Sequence, residues 1–408
     1  MSRPGKFRIT ATACFLLVLS FSACLLFVGS YPLPEVKNDA VEYLALARNV
    51  AAGSGFTLDG VSPMVYRPPL FSVLLGGWFR LTGTSSPLSA AVFQSILHAL
   101  GVVAAFGLFL EISVSLSWAL AGGLFLAVNP LLVTRVVFVL QEPTLILVTT
   151  LAVLASVRLV RSSSPGRAAT AGAAWGVATL AKAVAWFAPF LLLAMRLLPA
   201  RLRWSWRGKE AALLLFCFAA VIAPWTIRNY VQFHRFIPVN GQGEGILEWN
   251  VSHADIPGEP PGALYIAEMY GKDFSESRRK MLLLKYVWDH PRYFFVDRVI
   301  RNVVHFAAPS RDWWIARGHF QPGESRVLFW VLSALFHIPL YLFLLYRSWQ
   351  WGKGEAARNL GFLVLFYWLY WAEHAFVWGD ARFGLAVYPL LVAMVLPLDR
   401  SANVPPPG

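Results

Sequence analysis

The 408-residue chain is 57% hydrophobic and only 14% charged, with 17 tryptophans, a balance that excludes an ordinary soluble enzyme and points to a polytopic membrane protein. Its formal net charge of +13 would suggest nucleic acid in a soluble protein. Here many basic residues fall in short loops between apolar runs, as the positive-inside rule expects, so no nucleic-acid partner is expected.

A membrane-spanning helix takes about 20 mostly apolar residues. Ile9–Ser30 is the first, with Arg3, Lys6 and Arg8 before it. Its run is too long for a signal peptide and no A-x-A cleavage site follows, so it reads as an uncleaved anchor. Further spans are predicted at Leu88–Leu110, Val114–Asn129, Pro143–Val160, Ala168–Ala183, Ala185–Leu198, Glu210–Arg228, Arg326–Tyr346, Ala357–Val377 and Phe383–Leu398. The expected fold is therefore one all-α integral-membrane domain over 1–408, with about ten transmembrane helices by that length rule.

Basic clusters order the topology: Arg158, Arg161 and Arg167; Arg196, Arg201, Arg203, Arg207 and Lys209; Arg347, Lys353 and Arg358. All share a side with the N-terminus if "RPPLFSVLLGGWFRLTG" (67–83) does not cross. After its prolines that segment is short for a span and suits an interfacial or re-entrant helix. Residues 31–87, the turn around 129–143 and the long segment 229–325 then lie outside, the last as an ordered lid. Residues 399–408 form a short cytoplasmic tail.

The candidate chemistry gathers on the outer side. "DAVE" at Asp39–Glu42 has the spacing of a capping box, yet Asp39, Glu42 and Tyr43 also share one helical face. Asp39 is thus equally readable as a helix start or as a general base for a hydroxyl or amine acceptor. Glu142 opens a span before Pro143, either as a solvated cap or as an acid facing the bundle. Lys182 lies in an apolar stretch, where an unpaired charge costs about 2.5–3.5 kcal/mol, so it asks for an anionic partner. Arg67, Arg228 and Arg382 stand on the side where positive residues are disfavoured, Arg382 with Asp380 close by. Three Arg and one Lys around a cavity suit a phosphate, which guanidinium forks bind in bidentate fashion.

His374, near Glu373, is placed to contact substrate. His98 and His337 read as packing residues, whereas His253, His290, His305 and His319 are scattered without metal-ligand spacing. Cys14, Cys24 and Cys217 lie in apolar runs, so neither a disulfide framework nor a metal site is expected. "NVS" at 250–252 matches a glycosylation sequon, a short pattern of little weight. A secondary transporter or lipid flippase is the rival reading, although no inverted repeat is visible.

Taken in order, "NDAVEYLALA", "RPPLFSVLLGGWFRLTG", "NPLLVTRVVFVLQEP", "ATLAKA", "APWTIRNYVQF" and "GDARFGLAVYPLL" resemble the GT-C superfamily of membrane glycosyltransferases. The likeness is nearest to the bacterial glycosyltransferase family 39 branch, which is related to protein O-mannosyltransferases and the aminoarabinose transferase of lipid A. The resemblance implies inverting transfer of a sugar from a polyprenyl-phosphate donor on the outer face of the bacterial cytoplasmic membrane. The acceptor would be a protein, a glycan or a lipid. It matches Asp39 to the catalytic base, Glu142 to a second acidic position, and Lys182, Arg228 and Arg382 to positions near the donor phosphate; Tyr43, Arg67 and His374 complete the expected substrate site. Neither a nucleotide nor a divalent metal is expected to be obligatory. Ala183–Val184 after Lys182, Phe383 after Arg382, and the lack of the large C-terminal soluble domain of the lipid A enzymes depart from the family pattern, and leave donor sugar and acceptor open.

Overall fold

The computed structural model describes residues 5–30, 32–113, 115–198, 208–272, 274–307, 325–353, 358–377 and 379–397. Arg3, Arg201, Arg203, Arg207, His319, the tail 399–408 and the side chains of Arg196 and Arg358 lie outside the described residues. What is described is helical, with one isolated bridge between Thr57 and Pro63.

Among the described residues, four helices are long and apolar enough to cross a membrane: α1 (Lys6–Ser30), α4 (Pro87–Ile112), α6 (Glu142–Arg161) and α8 (Gly208–Phe233). Between α1 and α4 lie α2 (Asp39–Ala52) and α3 (Pro69–Thr82); α5 (Leu116–Ala127) follows α4. The predicted span beginning at Val114 is bent: α5 and the segment Pro130–Val137 meet at 48°. Pro130 cannot donate a backbone hydrogen bond to the preceding turn, and Asn129 Oδ1 accepts instead from the Leu131 N–H at 2.9 Å, restarting the helix.

Helices α7 (Pro165–Ala181), α13 (Ser325–Gly352) and α14 (Arg358–Phe376) stand where spans were expected. Two other expectations need correction. Ala185–Leu198 is not one helix but a 3₁₀ turn, the short helix Ala188–Ala194 and a second 3₁₀ turn. Phe383–Leu398 likewise breaks into Ala381–Gly384, a 3₁₀ turn and α15 (Tyr388–Val395). Pro189 and Pro389 explain both breaks: each sits in the first turn of its α-helical piece, where its missing N–H costs nothing.

Helix α3 has 14 residues, about 21 Å at 1.5 Å each, well short of the ~30 Å hydrocarbon core. It lies against α2, burying Phe71, Leu75 and Phe79 on Tyr43, Leu44 and Ala47. Gly76 makes that approach feasible, since a Cβ there would fall 2.7 Å from Val50 Cγ1. Helices α7 and α8 approach as closely: a Cβ on Gly172 would collide with the Leu214 carbonyl, and one on Gly176 would lie 2.7 Å from Val221 Cβ. Small residues four apart let membrane helices meet backbone to backbone.

The two ends of the bundle differ. At one, Glu111 accepts from Arg158 Nε at 2.8 Å and Arg161 Nη1 at 3.0 Å, and Arg347 donates to the Met394 and Leu396 carbonyls at 3.0 Å each. At the other lie α2, α3 and the lid helices α9 (Gln242–Ser252), α10 (Gly262–Tyr270), α11 (Glu276–Asp289) and α12 (Arg298–Ala307). Buried Arg298 donates to both the backbone and side-chain oxygens of Asn250, while Asn250 Nδ2 donates to the Val377 carbonyl at 3.3 Å. Asn302 Nδ2 donates to the Ala375 carbonyl at 2.9 Å. These bonds fasten the lid to the end of α14.

Candidate active site

Asp39 is the first residue of α2, but the capping-box reading of "DAVE" is not what the structure contains. Asn38, at the N-cap, makes no side-chain cap bond. Glu42 turns outward, its Oε2 2.5 Å from Arg67 Nε. Asn38 has φ +52°, a sparsely populated backbone region for a residue with a Cβ, and such strain tends to persist where the surroundings fix it.

Asp39 is held between two guanidiniums from distant parts of the chain. Arg67 Nη2 donates to Oδ1 at 2.8 Å and Arg382 Nη2 to Oδ2 at 3.0 Å. Burial alone would raise the Asp39 pKa, yet Arg382 and Arg67 overcome it and hold the carboxyl below its usual range. Arg67 also lies over the rings of Tyr43 and Tyr66, at 5.5 and 5.4 Å. Tyr43 is buried beneath it, edge-on to Phe71, and supports Arg67 from below.

Arg382 enters from the break before α15. Asp380, expected as its salt-bridge partner, instead caps that turn by accepting from the Arg382 backbone N–H at 2.9 Å, which leaves the guanidinium to Asp39. Its Nε is buried with no hydrogen-bond partner. Glu142 sits behind this pair, 3% exposed, with Oε2 also unpartnered. Arg382 and Arg135 both act on it electrostatically.

A cavity of about 520 Å³ opens on this cluster, with Asp39, Arg67 and Arg382 on one wall and Lys182, His374, Glu373 and Asn250 among its other residues. Lys182 Nζ is 3.0 Å from His374 Nε2 and 3.2 Å from the centroid of the Phe383 ring. His374 Nδ1 faces the Tyr370 carbonyl at 2.8 Å; that geometry puts the proton on Nδ1 and leaves Nε2 to accept from Lys182. Trp186, Ile246, Trp249 and Val377 supply apolar lining. Asp39 and Arg382 also border a second cavity, of about 350 Å³, beside Lys37, Asn38 and Val137–Leu140. Their ion pair therefore stands between two spaces.

Arg228 is not part of this cavity. Its Nη1 donates to the Met64 carbonyl at 2.8 Å and its Nη2 to the Phe56 carbonyl at 3.3 Å, and its guanidinium lies 4.9 Å from the Trp225 ring. It braces the loop between α2 and α3. Sequence reasoning passed over Arg135, although an Arg in an apolar turn was a visible signal. It also read Asn250 only as a sequon residue; the side chain is buried and both ends of its amide are engaged. Among the described residues no three His, Cys, Asp or Glu side chains group as a metal site. The carboxylates that line the larger cavity are Asp39, Glu373 and Asp380; Asp39 faces two guanidiniums and Asp380 accepts from the Arg382 backbone N–H.

The fold is that of a polytopic helical membrane protein with a charged site at one end of the bundle. No protein-family model and no curated protein sequence matches the chain. Among solved structures it is similar to the archaeal oligosaccharyltransferase AglB from Archaeoglobus fulgidus in complex with an inhibitory peptide and a dolichol-phosphate. The TM-score is 0.56 at 15% identity, covering 95% of this chain and 50% of that one. The A. fulgidus oligosaccharyltransferase tethered to an acceptor peptide with the NVT sequon gives 0.53 at 13% identity, covering 95% and 49%. ArnT from Cupriavidus metallidurans bound to undecaprenyl phosphate gives 0.43 at 15%, covering 96% and 78%. The chain spans about half the length of the oligosaccharyltransferases it matches. It has the GT-C fold, as the order of its sequence elements implied.

Proposed function

We propose that the chain is an inverting glycosyltransferase that moves a sugar from a polyprenyl-phosphate donor to an acceptor at the outer face of a bacterial cytoplasmic membrane. The observation that carries this reading is Asp39, a carboxylate pinned by Arg67 and Arg382 on the wall of a cavity that also holds Lys182.

The donor phosphate occupies the 520 Å³ cavity, and the acceptor reaches Asp39 from the side of the smaller one. The acceptor oxygen or nitrogen forms a bond to the anomeric carbon while the bond from that carbon to the phosphate oxygen breaks. The acceptor proton passes to Asp39, and the electron pair leaves with the lipid phosphate. A leaving phosphate needs no proton if fixed cations meet its charge in a dry site. Arg382 and Lys182 supply that charge, and the fork of Arg382 suits it better than a point charge would.

A carboxylate shared by two guanidiniums is a weak base. The resting ion pair is therefore a closed state that donor binding opens: the phosphate competes for Arg382, whose buried Nε lacks a partner, and Asp39 regains basicity as Arg382 leaves it. Glu142, behind Arg382, helps to hold the guanidinium in either position. Transfer needs no added divalent metal on this reading and continues in the presence of a chelator.

The test is purified protein in lipid nanodiscs with a polyprenyl-phosphate sugar and a panel of hydroxyl and amine acceptors. Acceptor-dependent release of free polyprenyl phosphate supports transfer. Movement of intact donor between leaflets without release supports a flippase and overturns the proposal.

A further inference from the structure

Helix α12 buries polar groups and exposes apolar ones. Arg298 is 2% exposed and Asn302 3%, each bonded to oxygens inside the protein, with Phe306 buried in line with them. The outward side carries an apolar stripe flanked by the exposed Asp297, Arg301 and His305. Ile300 and Val304 are each 58% exposed, and Phe295 and Val296, in the π-helical turn leading into α12, are 51% and 48% exposed. Val296, Ile300 and Val304 recur every four residues and form one stripe. In water that arrangement leaves a continuous apolar strip without a reason; against hydrocarbon it is the expected polarity, because the polar groups find partners inward.

Position along the bundle supports the same occupant. Gly379 packs on the Asn302 backbone, and Asn302 bonds Ala375. The Phe306 ring lies 5.3 Å from that of His374 and 6.2 Å from that of Tyr370. From Asn302 to Phe306, α12 thus descends beside α14, past its terminal residue Phe376. Tyr370 lies about 9 Å from that end at 1.5 Å per residue, so α12 runs alongside α14 and not beyond it. The stripe has the same outward apolar character as Ile338 and Leu342 on α13. Arg292 and Arg301 are exposed along the same stretch, where phosphate headgroups would meet them.

We infer that the last part of the lid is seated in the bilayer, with Phe295, Val296, Ile300 and Val304 against acyl chains. Since Arg298 of the same helix holds Asn250 on the cavity wall, one wall of the site is anchored to lipid and not to an aqueous lid. The inference rests on the exposed face of α12 and on its place beside α14, and stands whichever reaction the site performs.

An acyl-chain diazirine lipid, photolysed in nanodiscs holding the unaltered chain, tests it by peptide mass spectrometry. Label is expected on peptides spanning 295–304, as on the outward face of α13. Label on α13 with none on 295–304 overturns the inference. Nitroxides at I300C and V304C, in a chain with Cys14, Cys24 and Cys217 changed to alanine, provide a second reading, with S277C on α11 as the aqueous control. Oxygen should relax the first two more than a water-soluble nickel chelate does, and the order should reverse at S277C. Nickel dominance at 300 and 304, or shielding from both reagents by covering protein, overturns it.

Discussion

Arg382→Gln separates the two roles given to one guanidinium. In the resting protein Arg382 donates to Asp39 Oδ2 at 3.0 Å from a side chain 25% exposed. A unit charge pair about 4 Å apart is worth about 4 kcal/mol at an effective dielectric near 20, before the cost of ordering and desolvating both groups. At the transition state the same cation faces the leaving phosphate. Removing one preorganised donor from such a site typically costs about 2.7–4 kcal/mol, or 10²–10³-fold in kcat. The pH profile should move as well. With Arg382 present the Asp39 pKa lies below the usual carboxylate value, about 3.9, so Asp39 stays ionised until the pH falls through that depressed value. Without Arg382, burial is opposed by Arg67 alone and the pKa rises, shifting the acid limb of kcat/KM to higher pH. Steady-state transfer between pH 4 and 8 in nanodiscs, with thermal unfolding as a folding control, reads both effects. A folded Arg382→Gln variant within threefold of the parent rate, with an unmoved acid limb, would refute the reasoning.

Asp39→Asn should lower kcat by about 10²–10⁴, the usual contribution of a positioned base, with the unfolding midpoint read alongside because the change also removes the carboxylate that Arg67 and Arg382 share; retained turnover would remove Asp39 from the base role. Arg228→Ala should leave the KM for donor unchanged and cost about 1–3 kcal/mol of stability, because it orphans the Met64 carbonyl. A selective rise in donor KM would return Arg228 to the phosphate site. Gly172→Val should destabilise the chain by about 1–3 kcal/mol or more through overpacking against the Leu214 carbonyl, and an unchanged thermal midpoint would contradict the close α7–α8 approach.

The long apolar helices were readable because length and hydropathy alone determine them. The broken ones were harder. An apolar run carries Pro189 or Pro389 without announcing whether the helix kinks or stops, and the answer depends on what packs around the freed carbonyls. At the site, residue chemistry was more legible than pairing. Asp39 and Arg382 each stood out locally, but their ion pair joins positions 343 residues apart, and no local pattern encodes it. Glu42 shows the converse: its spacing from Asp39 fits a capping box, and tertiary competition from Arg67 overrides the local preference. Arg228 followed the rule that an outer arginine needs an anionic reason. The structure answers that demand with two backbone carbonyls and an aromatic ring. Lys182 was read as needing an anion, and the structure places His374 and the Phe383 ring against it.

The most direct test of the account is an experimental structure in nanodiscs with a non-hydrolysable polyprenyl-phosphate sugar analogue. The account predicts phosphate oxygens on Arg382 and Lys182, with Arg382 drawn away from Asp39 beyond the 3.0 Å resting contact. A phosphate bound elsewhere, with that contact intact, would contradict it.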